Sequence, residues 1–221
     1  MPFELLRVSL RAPRPATSAL DAFYGERLGL GRAREGGFVV GAGELRFEPA
    51  DGAPFYHFAL LVPGDRFDAA LEWARGRVEI LPGGDIDAVV FDFDNWNALA
   101  FYFHDPAGNI VELIAHRGLG ESGTRGAFGA SELLGISEIG VVGDSAEIAP
   151  ALAAAGIRLY DGSLEPGRLA FFGDRAKVLI VAPEGRGWLP TGRPAEPHPV
   201  DVVAAGASVP VRVGGHRIEP P

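Results

Sequence analysis

Residues 101–113, FYFHDPAGNIVEL, carry the strongest structural signal in the chain. Asp105 and Gly108, with a proline after the aspartate, stand at turn positions that favour these residue types. The turn predicts a hairpin that places Tyr102 and Glu112 on neighbouring antiparallel strands. Glu112 stands in an apolar run, so we expect its carboxylate to face a polar partner, since an unpaired buried charge is costly.

The same succession of predicted elements occurs three times along the chain, and the hairpin belongs to the second copy. Each unit begins with an apolar strand, continues as an amphipathic helix and returns as short strands separated by glycine turns. The units begin near Leu5, Tyr56 and Leu133. A single unit cannot bury its sheet face alone, so pairing of units is expected. The sequence therefore predicts an α+β fold of repeated βαβββ units whose paired sheets form a curved cup.

The repeats predict three regions along the chain. Residues 1–116 are expected to form the paired cup, and residues 117–131, rich in glycine and serine, to form a linker. Residues 132–221 are expected to hold a third unit with a degenerate partner, because the proline-rich tail shows strands but no convincing helix. This second part would complete the core of the first or pair with a neighbouring chain, which predicts a homodimer.

Composition excludes several classes of function. The 221 residues contain 20 basic and 29 acidic side chains, a formal charge of −9, which disfavours nucleic acid as a partner. The absence of cysteine excludes disulfides, thiolate metal sites and a cysteine nucleophile. No apolar run of membrane-spanning length and no secretory signal is seen, so we expect no membrane partner and a cytoplasmic location.

Three motifs together resemble the vicinal oxygen chelate superfamily, which includes glyoxalases, bleomycin-resistance proteins and extradiol dioxygenases. They are the hairpin at 101–113, YHFAL at 56–60, and the segment at 23–30 that contains FY and LGL. The resemblance covers residues 5–116 well and the rest more weakly. It implies paired units that form an open cup, usually with a divalent metal inside. WNA and GRGWLPT, at 96–98 and 185–191, are similar to a bacterial subgroup without settled chemistry.

The resemblance implies metal ligands at His57, Glu112 and Glu48, with Glu112 and Glu48 as the candidate catalytic carboxylates. The remaining ligand position, ordinarily histidine or glutamine, falls on Arg7 or Ser9. A guanidinium cannot bind a cation, and a serine is a weak ligand. Arg7, if it points into the cup, would compete with the metal or pair with Glu112 or Glu48. Ring-cleaving dioxygenase activity is not expected, because non-haem iron oxygenases need two histidines and a carboxylate.

The rest of the predicted site is a substrate-binding surface. Besides Arg7 and Ser9, it contains Tyr102, Trp96, Asn97 and Asp94. Ser137 and Glu138 open the third unit where His57 opens the second, and Glu138 is the acidic residue of the two. Because it brings no imidazole, we expect no second metal centre there.

Two functions remain open from the sequence. The first is a glyoxalase-like lyase or isomerase, in which a divalent metal polarises the vicinal oxygens of a small oxygenated metabolite and a carboxylate moves a proton alpha to the carbonyl. The alternative is a metal-free protein of bleomycin-resistance type that binds or sequesters a small molecule without turnover. The ligand is a small molecule in both cases, and no cofactor other than the metal is expected.

Overall fold

The computed structural model describes residues 2–84 and 88–221. Within them the α+β fold of repeated βαβββ units is confirmed. The helices are α1 (Thr17–Ala22), which continues as a π-helical turn (Phe23–Arg27), α2 (Phe67–Arg75) and α3 (Ser145–Ala154). Among these described helices, none has the length and apolar character needed to cross a membrane.

The described strands form two large curved sheets and one short hairpin. In chain order the strands are β1 (Glu4–Pro13), β2 (Phe38–Val40), β3 (Gly43–Ala50), β4 (His57–Val62), β5 (Phe91–Phe93), β6 (Ala98–His104), β7 (Ile110–His116), β8 (Gly135–Val142), β9 (Leu159–Gly162), β10 (Ala170–Asp174), β11 (Lys177–Ala182), β12 (Gly187–Trp188), β13 (Arg193–Pro194), β14 (Val200–Ala205), β15 (Val211–Val213) and β16 (His216–Glu219).

The eight-stranded sheet, called the central sheet here, has the order β5-β6-β7-β4-β8-β11-β10-β9. The six-stranded sheet, called the terminal sheet, has the order β15-β16-β14-β1-β3-β2. The second unit therefore pairs with the third, and the first unit pairs with the strands of the tail. This corrects the expectation that residues 1–116 form one paired cup. The order of the units does not determine their pairing, because any two exposed sheet edges can join.

Residues 117–131, the predicted linker, pack against the beginning of α2. The guanidinium of Arg66 is buried and donates hydrogen bonds to the Glu132 carboxylate at 2.8 Å and to the carbonyl of Gly126 at 3.0 Å. The carboxylate of Asp65 accepts a hydrogen bond from the backbone N–H of Gly123 at 2.8 Å. These bonds hold the segment that joins the two units of the central sheet.

The alternation of side chains along β4 separates the main core from the concave face of the central sheet. Phe58, Leu60 and Val62 point into the core that the two sheets and the helices share. Ala59 and Leu61 belong to a second apolar cluster, on the opposite face of the sheet. His57 lies on that second face by the same alternation, so the strand places a polar group in the cup.

Candidate metal centre

Three buried side chains meet on the concave face of the central sheet: His57 on β4, Glu112 on β7 and Glu138 on β8. One potential ligand atom from each lies within 4.8 Å of the others. Nε2 of His57 and Oε2 of Glu112 are 3.4 Å apart. Ala59 is the register partner of both glutamates, so only a methyl group stands between the two carboxylates. The small side chain leaves room for an ion between them.

The predicted hairpin is present and places Tyr102 directly opposite Glu112. The phenol of Tyr102 is buried and hydrogen-bonds to the Glu112 carboxylate. Burial raises the pKa of Tyr102 well above its usual range, and the neighbouring Glu112 raises it further. Tyr102 is therefore a neutral phenol whose O–H donates a hydrogen bond to the Glu112 carboxylate and orients it.

The turn of this hairpin also positions His57. The buried Asp105 carboxylate accepts hydrogen bonds from the Tyr24 hydroxyl at 2.8 Å and the Asn109 side-chain amide at 2.7 Å. The side-chain oxygen Oδ1 of Asn109 in turn accepts a hydrogen bond from the backbone N–H of Tyr56 at 2.8 Å. Because Tyr56 directly precedes His57, one network fixes the strand of His57 relative to the strand of Glu112.

The protonation state of His57 follows from its hydrogen bond. Nδ1 lies 3.1 Å from the carbonyl oxygen of Ile110, and a carbonyl can only accept, so Nδ1 carries the proton. Burial lowers the pKa of His57 to about 4. The indole of Trp188 packs on the imidazole with ring centroids 4.9 Å apart. Nε2 of a neutral imidazole therefore faces Glu112, which is the form of histidine that binds metals.

The two carboxylates are unfavourable neighbours without a cation. Burial raises the pKa of both Glu112 and Glu138, and the charge of Glu138 raises that of Glu112 further, while the bond from Tyr102 opposes the shift. Two buried carboxylates this close cannot both ionise unless a positive charge compensates them. A nitrogen ligand and two carboxylate ligands, all buried, fit a divalent ion such as zinc.

Glu48, the third ligand that the resemblance implied, is not part of this cluster. It is an exposed residue of β3 in the terminal sheet, where it forms an ion pair with Arg11. Glu138 takes the third place beside His57 and Glu112, although the sequence predicted no metal role for it. The signal was present, because Glu138 opens the third unit as His57 opens the second. Its role was not predicted because a carboxylate stands there in place of an imidazole.

Arg7 and Ser9 also lie in the terminal sheet, on β1. Arg7 is the register partner of Glu44 on β3, and Ser9 is the register partner of Asp201 on β14. Neither residue lines the cavity above the metal cluster. The competition expected between Arg7 and a metal is therefore absent from this part of the described chain, because β1 does not belong to the central sheet.

A cavity of about 370 Å³ lies over the cluster of His57, Glu112 and Glu138. Tyr102, Trp96 and Asp94 line it, whereas Asn97 does not. Asn97 ends the turn between β5 and β6 in the left-handed conformation, at φ 50°, and its backbone carbonyl accepts the N–H of Arg117 at 2.8 Å. Asn97 therefore shapes the turn that carries Trp96.

Trp96 joins the two ends of the central sheet at the rim of the cavity. Its indole N–H donates to the carboxylate of Asp161 on β9. Its ring packs edge-on against Phe171 of β10, with centroids 4.7 Å apart. Strands β5 and β9 are the outermost strands of the sheet, so these contacts curl the sheet around the cavity.

A hairpin from the tail covers the cluster from another side. Strands β12 and β13 form this hairpin, which holds Trp188 over His57. Arg193 anchors it, because its guanidinium donates to the carbonyl of Gly108 at 3.1 Å and lies 3.3 Å from the centre of the Phe55 ring. The GRGWLPT segment that stood out in the sequence therefore forms part of the cavity wall.

No family model and no curated protein matches the chain. Among solved structures, the chain is similar to glyoxalase I from Zea mays, with 16% identity, 90% of this chain and 74% of that chain covered, and a TM-score of 0.51. It is also similar to a candidate dioxygenase from Bacillus subtilis subsp. subtilis str. 168, with 15% identity, coverage of 90% and 69%, and a TM-score of 0.56. The chain therefore has the fold of the vicinal oxygen chelate superfamily, as its sequence motifs predicted.

Proposed function

We propose that the chain binds a divalent metal ion through His57, Glu112 and Glu138 and acts as a glyoxalase-like lyase or isomerase on a small oxygenated metabolite. The observation that carries this proposal is the buried cluster itself. It combines a neutral imidazole with a free Nε2 and two carboxylates that lack a compensating charge. A divalent ion resolves this arrangement, and Ala59 leaves space for it.

When bound, the ion supplies a Lewis acid for two vicinal oxygens of the substrate. The two glutamates then have different tasks. Tyr102 donates to Glu112 and holds it as a ligand. Burial raises the pKa of both glutamates, and Glu138, which Tyr102 does not hold, is the carboxylate left to act as general base. Glu138 takes a proton from the carbon alpha to the carbonyl and returns it to the neighbouring carbon.

The cavity walls favour such a proton transfer by excluding water. Trp188 packs on His57, and Phe171 and Ile180 supply apolar surface beside the cluster. A volume of about 370 Å³ suits a small molecule. A proton held by Glu138 in these surroundings exchanges slowly with solvent and is available for return to the substrate.

The ligand set argues against ring cleavage. The cluster contains one histidine and two carboxylates, whereas non-haem iron oxygenases use two histidines and one carboxylate. His116 lies on the same strand as Glu112, but its Nδ1–H donates to the carbonyl of Trp96 at 3.3 Å. Its Nε2 is not excluded by that bond, but His116 stands four residues beyond Glu112 and neither joins the cluster nor lines the cavity.

Binding without turnover is the second candidate, and one observation favours it. The raised pKa values of Glu112 and Glu138 allow a proton to be retained on one of the two carboxylates. A protonated pair with the Tyr102 hydrogen bond is tolerable without any ion. The cavity then serves as an apolar binding site for a small molecule.

Two measurements separate these functions. Elemental analysis of the purified protein is expected to find one divalent ion per chain. Nuclear magnetic resonance is expected to show exchange between α-hydroxy aldehydes and the isomeric α-hydroxy ketones, in which the proton moves to the neighbouring carbon, and Glu138→Gln should abolish this exchange while Glu48→Gln retains it. A protein that stays metal-free after zinc loading would contradict the metal site. A metal-loaded protein without exchange over this panel would contradict the isomerase.

A further inference from the structure

Arg186 is the one lysine or arginine among the residues that line the cavity. It is half-buried and directly precedes β12. Its guanidinium donates to the neighbouring carbonyl of Gly187, and no described carboxylate forms an ion pair with it. A guanidinium has five donors, so most of its hydrogen-bonding capacity is available to a ligand.

Asp94, Glu112 and Glu138 line the same cavity, and in the described part of the chain none of them forms an ion pair with Arg186. Asp92 is held instead by Arg117, whose two terminal nitrogens donate to its two carboxylate oxygens at 3.1 and 2.9 Å. Trp188 and Leu189, which follow Arg186 closely in the chain, give the cavity apolar wall surface. Beside such walls a charge-assisted hydrogen bond is stronger than in water, so the site favours an anionic partner.

The hairpin sets the distance between Arg186 and the metal cluster. Arg186 and Trp188 are two residues apart and both line the cavity, as expected for one face of an extended segment. Two residues of extended chain span about 7 Å. Trp188 packs on His57, so about 7 Å of backbone separates Arg186 from the residue that contacts the cluster.

We propose that Arg186 is a specificity-determining residue that binds a carboxylate of the substrate. The substrate is then a small acid with an apolar body, whose vicinal oxygens lie at His57, Glu112 and Glu138. The planar fork of the guanidinium matches a carboxylate with two parallel hydrogen bonds. This inference rests on the proposed function, because the cluster is taken to hold the other end of the substrate.

The test compares two ligands that differ only in charge at one end. Isothermal titration calorimetry measures the binding of 3,4-dihydroxybenzoate and 3,4-dihydroxybenzamide to the zinc-loaded protein. The acid is expected to bind at least about tenfold more tightly than the amide, as one charge-assisted contact allows. Arg186→Met should abolish this ratio, and Arg186→Lys should retain part of it.

Arg193→Met is the matched control, because Arg193 belongs to the same hairpin but does not line the cavity. This substitution is expected to weaken the binding of both ligands equally and to leave the ratio of their affinities unchanged. Equal binding of acid and amide to the wild-type protein, a preference that survives Arg186→Met, or no binding of either ligand would overturn the role of Arg186. Zinc binding, measured separately, tests the metal site. If zinc does not bind, the same ratio is measured on the metal-free protein and decides the inference by the same outcomes.

Discussion

The two large sheets pair their units in the same way but differ in how their acidic side chains are compensated. In the central sheet, β4 pairs in parallel with β7 and antiparallel with β8. In the terminal sheet, β1 pairs in parallel with β3 and antiparallel with β14. Each sheet thus joins two units through their first strands. The fold supplies two comparable cups, and their side chains decide what each cup can do.

Acidic residues occur on both sheets, and several of them have an arginine partner, whereas Glu112 and Glu138 have none among the described residues. Arg11 contacts Glu48 and Asp201, and Arg217 contacts Asp201 at 2.6 Å. These pairs are partly exposed, so water and arginine together satisfy the carboxylates. Glu112 and Glu138 are buried beside a neutral histidine instead. The proposed metal site therefore rests on buried carboxylates without a compensating charge, and not on acidic residues as such.

The largest difference between the sheets should appear in metal affinity. His57→Ala or Glu138→Gln removes one of three ligands, which is expected to weaken zinc binding about a thousandfold, or about 4 kcal/mol. Glu48→Gln in the terminal sheet should leave the affinity unchanged. Competition with a chromophoric chelator measures the dissociation constants. Weaker binding in Glu48→Gln would show that the terminal sheet contributes to the metal site.

The turn that positions the ligands is expected to dominate stability. Asp105→Ala removes a buried carboxylate and leaves the hydroxyl of Tyr24 and the amide of Asn109 without their acceptor. We expect a loss of about 3 kcal/mol in the free energy of unfolding, measured by urea denaturation. Asp51→Ala is the matched control, since Asp51 is exposed and pairs only with Arg14 at 3.0 Å. A similar loss in both variants would contradict this role of the turn.

The stability of the metal-free protein should fall as the pH rises above 6.5. The folded-state pKa values of Glu112 and Glu138 are raised above their ordinary 4.5, so the folded protein retains protons that the unfolded chain has released. The protonated glutamates therefore contribute fully to the free energy of unfolding below pH 4.5, and this contribution is lost as the pH rises to their folded-state pKa values. His57, with its pKa lowered to about 4, has the opposite effect, but only below its ordinary 6.5.

Above pH 6.5 the free energy of unfolding is expected to fall by up to about 1.4 kcal/mol per pH unit for each carboxyl group whose pKa is raised. Urea denaturation at pH 6.5 and pH 8 measures it. Glu138→Gln should reduce the slope, and saturating zinc should remove it. Asp105 is the same in both proteins, so its contribution cancels. An equal slope in the wild type and in Glu138→Gln would mean that Glu138 is ionised throughout this range.

The smallest change in the free energy of unfolding is expected when an ion pair of the terminal sheet is removed. Arg11→Met leaves Glu48 and Asp201 without one partner, but all three side chains are partly exposed. The expected loss is below about 1 kcal/mol, and 1 M NaCl should reduce it further. A loss of several kcal/mol in urea denaturation would show that this cup is as desolvated as the central one.

Local patterns predicted the repeated units and two of the three cluster residues. His57 and Glu112 are positioned by the turn at 105–109, so the motif that reveals the fold also reveals them. Glu48 and Glu138 could not be distinguished in the same way. Both glutamates stand beside apolar residues of a strand, so their sequence surroundings are alike. Only the pairing of the second unit with the third brings Glu138 to the cluster.

The sequence by itself determined the βαβββ units, the hairpin with Tyr102 opposite Glu112, and the absence of cysteine ligands. These properties depend on turn chemistry, periodicity and composition, which act over a few residues. The tertiary structure alone decided that the second unit joins the third, that Glu138 completes the cluster, and that the tail hairpin covers it with Trp188. Such long-range contacts depend on which sheet edges meet, and no local pattern specifies that choice.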